Sequence, residues 1–196
     1  LADPHRAGHE LKYHPGEVNM RMADVVVINK IETAPPEGIE EVRQNIEILC
    51  PEAVVIDAAS PISVEDPSII RGKRVLVVED GPTLTHGGMT YGAGVVAAKK
   101  FGARELVDPR EYAVDSIMET YKKYTHLSNI LPAMGYGVKQ IKDLEKTINS
   151  IDCDAVVIGT PIDLRKLMTI NKPSVRVRYE LQEIGKPTLE DVLKDI

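Results

Sequence analysis

The chain has 196 residues, of which 43% are hydrophobic and 28% are charged, and its formal net charge at pH 7 is −6. This acidic balance excludes a surface for duplex nucleic acid, which needs a basic face, and no apolar run approaches the roughly 20 residues of a membrane span. The two cysteines lie far apart in the sequence, so the composition indicates a reducing compartment, and we expect a cytoplasmic protein.

Four short apolar runs rich in β-branched residues predict the strands of the fold. They cover residues 25–28, 54–56, 75–78 and 156–158. None of them alternates polar with apolar residues, which is typical of strands buried on both faces of a parallel sheet. Parallel strands need long crossovers, usually helices, so the runs predict an α/β fold with a mostly parallel sheet and helices on both faces, of the P-loop or Rossmann-like type. Residues 175–179 do alternate, which predicts a half-exposed edge strand and leaves room for an antiparallel one.

Helical periodicity fills the intervals between these runs. Residues 37–49 follow Pro35 and Pro36, which a helix tolerates in its first turn. The other predicted helices run from Gly87 and Gly88 to about residue 101, from 114 to 124, from 138 to 148 and from 188 to 193, with a short extra strand at 105–107. The proline-containing join between residues 61 and 73 predicts a domain boundary, which we place after residue 66.

Small, polar or charged residues follow each of the four apolar runs. The carboxyl ends of parallel strands are where open α/β sheets bind ligands. If the four runs are parallel in one sheet, their exits meet at a single edge and favour a binding site there. The alternative is that each exit is only the turn chemistry that any strand end needs.

The first exit carries Asn29-Lys30-Ile31-Glu32, which resembles the base-recognition motif of P-loop GTPases. The resemblance implies that Asn29 bonds the purine edge, that the Lys30 stem covers the base face and that the Glu32 carboxylate accepts hydrogen bonds from guanine. Ala59 and Ser60, in the second exit, stand where the family's next base-contacting loop presents a backbone N–H. Since Asp is usual where this chain has Glu32, both GTP and ATP stay open.

Longer phrases carry a resemblance that covers the whole chain. They lie at residues 3–10, 22–30, 77–89, 159–164 and 171–173. They look like an archaeal family of predicted P-loop GTPases that is similar to cyclic 2,3-diphosphoglycerate synthetase. The resemblance implies a phosphotransferase or hydrolase that uses GTP or ATP with Mg²⁺ and a small phosphorylated or acidic metabolite, and it leaves room for a homo-oligomer. Residues 1–66 would be the C-terminal half of a P-loop-NTPase-like domain, and residues 67–196 a Rossmann-like α/β domain.

The phosphate loop of that family does not occur in this sequence, since no G-x-x-x-x-G-K-[ST] string is present in residues 1–196. Such a loop wraps backbone N–H groups around the phosphates beside a lysine. We therefore expect the chain to hold the base half of a nucleotide site, to be inactive on its own and to lack an N-terminal part. The alternative is a non-catalytic α/β module that binds a metabolite or assembles with a partner.

The third exit predicts a second site, for the phosphate or carboxylate of a small acid. Its loop combines flexible backbone, hydroxyls and an imidazole at a predicted helix N-terminus, where N–H groups attract anions. The candidate ligands are Gly81, Thr83, Thr85, His86, Gly87 and Gly88, joined by Arg110, Thr160 and Arg165 from other exits. His86 and Arg165 are also the candidate catalytic residues. The alternative is a connector whose threonines only cap the helix.

Two further patterns favour structural roles. Gly92-Ala93-Gly94 begins a dinucleotide fingerprint, but that motif follows a strand directly, whereas the preceding apolar run ends at Val78. Packing between small residues is the favoured interpretation. His5, His9 and Glu10 are weak candidates for a metal site, because neighbouring prolines indicate a loop, and we predict hydrogen bonding within that loop and no metal.

Overall fold

The computed structural model describes residues 1–12, 14–86 and 89–194. The chain divides into two compact units, Leu1–Pro61 with Tyr179–Ile196 (unit 1) and Ile62–Arg178 (unit 2). The sequence predicts a boundary after residue 66, whereas the first stretch of unit 1 ends at Pro61. The C-terminal segment Tyr179–Ile196 also belongs to unit 1 and not to the second unit.

Helices and strands are interspersed along the chain. In chain order they are α1 (His9–Lys12), α2 (Gly16–Arg21), β1 (Val25–Ile28), α3 (Pro36–Leu49), β2 (Val54–Ala59), β3 (Ile62–Val64), β4 (Arg74–Asp80), α4 (Gly81–His86), α5 (Ala93–Lys100), β5 (Glu105–Leu106), α6 (Asp115–Lys123), β6 (Leu131–Ala133), α7 (Val138–Ser150), β7 (Ala155–Gly159), β8 (Ser174–Tyr179), β9 (Gln182–Ile184) and α8 (Leu189–Leu193). Single turns of 3-10 helix occupy Pro4–Arg6, Pro67–Ile69, Arg110–Tyr112 and Leu164–Lys166.

The sheet of unit 1 has the order β1-β2-β9. β1 and β2 are parallel, with Val25 beside Val54 and Ile28 beside Asp57. β9 is antiparallel to β2 and lies at the edge of this sheet. Unit 1 therefore contains an antiparallel edge strand, formed by residues 182–184 and not by the alternating run at 175–179.

The sheet of unit 2 has the order β3-β8-β7-β4-β5, and β6 pairs with β4 as well. β4 is parallel to β5, β6 and β7, and β7 is parallel to β8. The predicted fold class is confirmed: the chain is α/β, with mostly parallel strands.

The two faces of β4 and β7 pack against different helices, because successive side chains of a strand point to opposite faces. Val77 and Val157 are fully buried in a cluster with Ala97 of α5. Val78 and Ile158 are fully buried in the other cluster, which includes side chains of α6 and α7. This two-sided burial explains why the apolar runs of these strands do not alternate.

The expectation that all four apolar runs lie in one sheet is wrong. The first two form β1 and β2, whereas the third and fourth form β4 and β7 in a different sheet. The exits therefore meet in two pairs, one in each unit. A continuous apolar run indicates that a strand is covered on both faces, but it does not specify which strand lies beside it.

The strand predicted at the edge, residues 175–179, is the internal strand β8, with β3 on one side and β7 on the other. Val175 and Val177 are buried, whereas Arg176 is only half-buried. The alternation therefore reflects unequal cover of the two faces of the sheet and not a position at its edge.

The structure also differs from the prediction in the segment that follows Val78. β4 continues through Glu79 and Asp80 and passes directly into α4, where the sequence analysis has a ligand-binding loop. The helix predicted to follow Gly87 and Gly88 begins at Ala93. Within the described ranges, no helix combines the length and the hydropathy that crossing a membrane requires.

Candidate functional site

Two loops of unit 1 meet at the carboxyl ends of β1 and β2. Asn29 directly follows β1 and is 7% exposed, and Ser60 directly follows β2. The Ser60 hydroxyl donates to Asn29 Oδ1 at 3.0 Å, and the Ser60 backbone N–H donates to Glu32 Oε1 at 3.0 Å. The structure therefore brings together Asn29, Glu32 and Ser60 from the predicted base site.

The other two predicted base residues have different surroundings. Lys30 Nζ donates to Asp3 Oδ2 at 2.6 Å, and Lys30 has a φ of 62°, which is uncommon for a residue other than glycine. Ala59 is the last residue of β2 and is buried. The charge of Lys30 is thus paired with a carboxylate of the N-terminal segment.

In unit 2, the hydroxyls predicted to bind an anion form local hydrogen bonds. Thr83 Oγ1 donates to Asp80 Oδ2 at 2.7 Å, and Thr85 Oγ1 donates to the Gly81 carbonyl at 3.0 Å. Thr160, which follows β7, is 2% exposed and donates to the Ile162 carbonyl at 2.6 Å. An anion would have to compete with these internal acceptors.

The two arginines predicted to clamp an anion are paired with carboxylates. Arg165 donates to Glu65 at 2.9 Å and to Asp163 at 2.8 Å, and its guanidinium lowers the pKa of Asp163. Arg110 Nε donates to Asp108 at 2.9 Å. These pairs offset the positive charges that the predicted anion site would need.

The rest of the predicted anion loop is only partly described. Gly87, Gly88 and the side chain of His86 lie outside the described residues. Gly81 begins α4 in close contact with the segment after β6, since a Cβ at this position would lie 2.6 Å from Met134 Sδ. Gly81 is thus a packing position next to β6.

The histidine-rich N-terminal segment forms hydrogen bonds within unit 1. His5 Nε2 lies 3.0 Å from Thr33 Oγ1, and Glu10 accepts from Asn45 Nδ2 at 2.6 Å. His9 begins α1. No group of three or more potential metal-binding side chains occurs among the residues that the structure describes.

The carboxyl ends of β4 and β7 form the topological switch point of the unit 2 sheet. From β4 the chain continues to β5 on one side, and from β7 it continues to β8 on the other. Connections that leave in opposite directions open a crevice at the strand ends, which is where ligands bind in such sheets. This edge is therefore the candidate site of unit 2.

Glu79 lies at this switch point, on the α5 face of β4, and is 1% exposed. Its carboxylate accepts hydrogen bonds from the backbone N–H groups of Gly92 at 3.1 Å and Val95 at 2.8 Å, at the start of α5. The space is tight, since a Cβ at Gly159 would lie 2.5 Å from Glu79 Oε2 and one at Gly94 would lie 2.7 Å from Val77 Cγ1. Burial raises the pKa of Glu79 to about 7, against the opposing effect of the N–H donors.

Asp80, the last residue of β4, is half-buried on the opposite face. Burial and the negative charge of Asp80 raise the pKa of Tyr136, against the opposing effect of a weak hydrogen bond with Thr160. Arg176 of β8 donates to the Pro161 carbonyl, while its Nε is buried without a partner. The two faces of this edge thus differ: one holds a carboxylate with two N–H donors, and the other holds the buried Nε of Arg176 without a partner.

Comparison with known proteins yields one relative with a stated activity. No family model matches the chain. The chain is 68% identical to the arginine synthetase ArcE of Thermococcus kodakarensis, over an alignment of 195 residues that covers the chain. The chain is therefore a homologue of an archaeal synthetase. The chain spans 44% of the length of that relative. The name of the relative states neither a nucleotide nor a phosphate loop, so those two assignments stay predictions.

Sequence reasoning missed Glu79, Tyr136 and Arg176. A signal for Glu79 was present, because it continues an apolar run without a break and a Gly-x-Gly helix start follows it. That pattern is typical of a strand-end carboxylate that bonds to the first N–H groups of the next helix. Tyr136 and Arg176 carry no such local signal.

Proposed function

We propose that the chain is part of a nucleotide-dependent synthetase that produces arginine, and that the loops after β1 and β2 bind the base of GTP or ATP. The name of the Thermococcus relative supports the synthetase reaction and its product. Joining two molecules in water requires free energy, which a nucleoside triphosphate with Mg²⁺ supplies. The similarity of residues 29–32 to a base-recognition motif supports the nucleotide. We place the reaction in the cytoplasm.

The convergence of Asn29, Glu32 and Ser60 carries the nucleotide part of this proposal. Asn29 is nearly buried, and the hydrogen bond from Ser60 uses its amide oxygen, which directs the NH₂ group elsewhere. Glu32 is exposed, and the Ser60 N–H bonds only one of its two carboxylate oxygens. A purine needs such a donor at its ring edge, and guanine N1 and its amine can donate to the carboxylate.

The phosphates and Mg²⁺ have no assigned ligand in this chain, since the sequence contains no phosphate loop. Base contacts alone support a dissociation constant of about 1 mM, which corresponds to roughly −4 kcal/mol. The proposal therefore includes weak nucleotide binding and no turnover by the 196 residues alone.

The second ligand in this proposal is an amino acid, which belongs to the predicted class of small acidic metabolites because it carries a carboxylate. Among the predicted anion ligands, Thr160 lies at the switch point of unit 2, whereas Arg110 and Arg165 would first have to leave their carboxylate partners. No nucleic acid and no membrane are part of the proposal, and a homo-oligomer is compatible with it.

An NMR titration of the ¹⁵N-labelled chain with GTP, ATP and CTP tests the base site. We expect the Ser60 amide resonance to shift with the two purine nucleotides and not with CTP, because Ser60 N–H bonds directly to Glu32. Asn29→Ala should weaken purine binding at least fivefold, whereas Gln44→Ala, on the exposed side of α3, should not. Glu32→Gln should weaken GTP binding more than ATP binding.

Equal affinity for all three nucleotides, unchanged by Asn29→Ala, would contradict the base assignment. The chain would then fit the alternative of a metabolite-binding or assembly module. Circular dichroism of each variant shows whether a lost response reflects the site or the fold.

A further inference from the structure

The outer edge of β1 is an incomplete side of the unit 1 sheet. β1 lies at one end of the order β1-β2-β9, so its outer side has no neighbouring strand among the described residues. Ala2 pairs there through a single parallel bridge to Ile28. The Ala2 N–H donates to the Val27 carbonyl at 2.8 Å, and the Asn29 N–H donates to the Ala2 carbonyl at 3.0 Å. These two hydrogen bonds begin a parallel ladder.

β1 has the composition and the burial of an internal strand. Val26 packs in the cluster that includes Val42 and Ile46 of α3, whereas Val27 belongs to the opposite cluster, against which Val192 of α8 packs. A run buried on both faces is typical of strands inside a parallel sheet. An apolar strand at the end of a sheet presents its backbone groups to other segments, and native proteins cover such edges. β1 therefore lacks the neighbour that its sequence suits.

The side chain and backbone directions of β1 identify the groups that such a neighbour would use. In a strand the backbone N–H and C=O of one residue point to the same side, and this side alternates from residue to residue. The Val27 carbonyl faces Ala2, so Val25 also faces outward, whereas Val26 faces β2. The Val25 carbonyl and the Val27 N–H are thus the groups that would continue the ladder.

A groove of about 310 Å³ borders this edge. It is lined by Val25 and Val26 of β1 and by Asn19 and Met20 of α2, together with Leu1. Leu1 is itself 81% exposed. A groove beside outward-facing backbone groups fits an extended segment whose main chain bonds to the sheet edge and whose alternate side chains fill the groove.

We propose that the outer edge of β1 is the docking surface of a further strand, which runs parallel to β1 and leads directly into Leu1. In this register the residue immediately before Leu1 lies beside Val26, donates to the Val25 carbonyl and accepts from the Val27 N–H. The occupant is a segment of the same polypeptide in a longer protein. The Thermococcus relative has room for it, since the chain spans 44% of the length of that relative.

The pairing of Ala2 favours a segment of the same polypeptide over a second copy of the chain. Two identical edges related by a two-fold axis pair antiparallel, whereas the ladder that Ala2 begins is parallel. Ala2 also fixes the register, since side chains two residues apart in a strand share a face. The residue immediately before Leu1 therefore shares the face of Ala2, which packs with Met20, and we expect it to be apolar.

Two extended forms of the whole 196-residue chain test this surface. One carries Val-Thr-Val-Thr-Val before Leu1, which places apolar residues on the face of Ala2, and the other carries Gly-Ser-Gly-Ser-Gly as the matched control. The amides of Val25 and Val27 should exchange about tenfold more slowly in the first form, because only its extension has strand propensity. The amide of Val26, which faces β2, should exchange equally in both.

Equal exchange of the Val27 amide in the two extended forms would overturn the docking surface. Circular dichroism of both forms shows that the comparison is made between folded chains. Exchange that slows as the concentration of the unextended chain rises would instead assign the edge to a second copy and overturn the proposed occupant.

Proline substitutions in the Val-Thr extension test the register. Proline immediately before Leu1 lacks the N–H that donates to the Val25 carbonyl, so the exchange of Val25 and Val27 should return to that of the Gly-Ser form. Proline one position earlier should leave exchange slow, because the N–H at that position faces away from β1. Equal effects of the two prolines would overturn the register.

The intact Thermococcus relative tests the natural occupant. The amide aligned with Val27 should exchange about tenfold more slowly in the full-length relative than in the piece of it that aligns with this chain. Equal exchange in the two would overturn the assignment to the same polypeptide. None of these outcomes depends on nucleotide binding, so the base site and the docking surface can fail separately.

Discussion

The strand ends of unit 1 and those of unit 2 use polar side chains in different ways. After β1 and β2, the polar groups bond to one another, as in the pair formed by Asn29 and Ser60. At the ends of β4, β7 and β8, the Glu79 carboxylate is satisfied on the α5 face, but Arg176 keeps an unpaired Nε on the other. A ligand in unit 1 must compete with existing hydrogen bonds, whereas in unit 2 a ligand that reached Arg176 Nε would satisfy a group that already pays its desolvation cost.

Among the substitutions that test this contrast, the removal of the Glu79 side chain should lower the free energy of unfolding most. Glu79→Ala leaves the N–H groups of Gly92 and Val95 buried without their acceptor and creates a cavity, so we expect a loss of about 4 kcal/mol in the free energy of unfolding. Urea denaturation followed by circular dichroism measures it. Glu119→Ala, which removes only an exposed pair with Lys122, should cost less than about 0.5 kcal/mol. Equal losses in the two variants would show that Glu79 does not hold α5.

The stability of the chain should also depend on the protonation of Glu79. The pKa of Glu79 is about 7 when folded and 4.5 when unperturbed, so the folded chain binds this proton more tightly than the unfolded chain. The free energy of unfolding should therefore fall as the pH rises from about 4.5 to 7, by at most about 3 kcal/mol. Denaturation at several pH values measures the slope. Glu79→Gln should flatten this pH dependence. A pH dependence that persists in Glu79→Gln would have to come from other titratable groups.

Much of unit 1 could be predicted because its signals are local. Asn29 and Ser60 each follow an apolar run, and the two runs are consecutive strands that pair directly. The polar groups on the α6 and α7 face of unit 2 depend instead on strand order. Tyr136 and Arg176 come near the same edge only because β6, β4, β7 and β8 are neighbours, and no local pattern encodes that order. Glu79 is an intermediate case, since the sequence indicates its position at the end of a strand but not its N–H partners at the start of α5.

Truncation of Asn29 measures how strongly the unit 1 loops hold each other. Asn29→Ala removes the acceptor of the Ser60 hydroxyl at a nearly buried position, so we expect a loss of about 1–2 kcal/mol in the free energy of unfolding. Asn19→Ala, on the exposed side of α2, should change stability by less than about 0.5 kcal/mol. Hydrogen exchange of the Ser60 amide reports the same loss locally. Unchanged protection of that amide would mean that Glu32 alone orders the loop.

Two tyrosines of unit 2 give the smallest and most discriminating test. The Tyr121 hydroxyl donates to the Ile130 carbonyl at 2.7 Å, so Tyr121→Phe should cost about 1 kcal/mol in the free energy of unfolding. The Tyr136 hydroxyl forms only a weak hydrogen bond with Thr160, so Tyr136→Phe should change the free energy of unfolding by less than about 0.5 kcal/mol. Thermal denaturation measures both effects, and equal costs for the two variants would mean that the Tyr136 hydroxyl bonds as strongly as that of Tyr121.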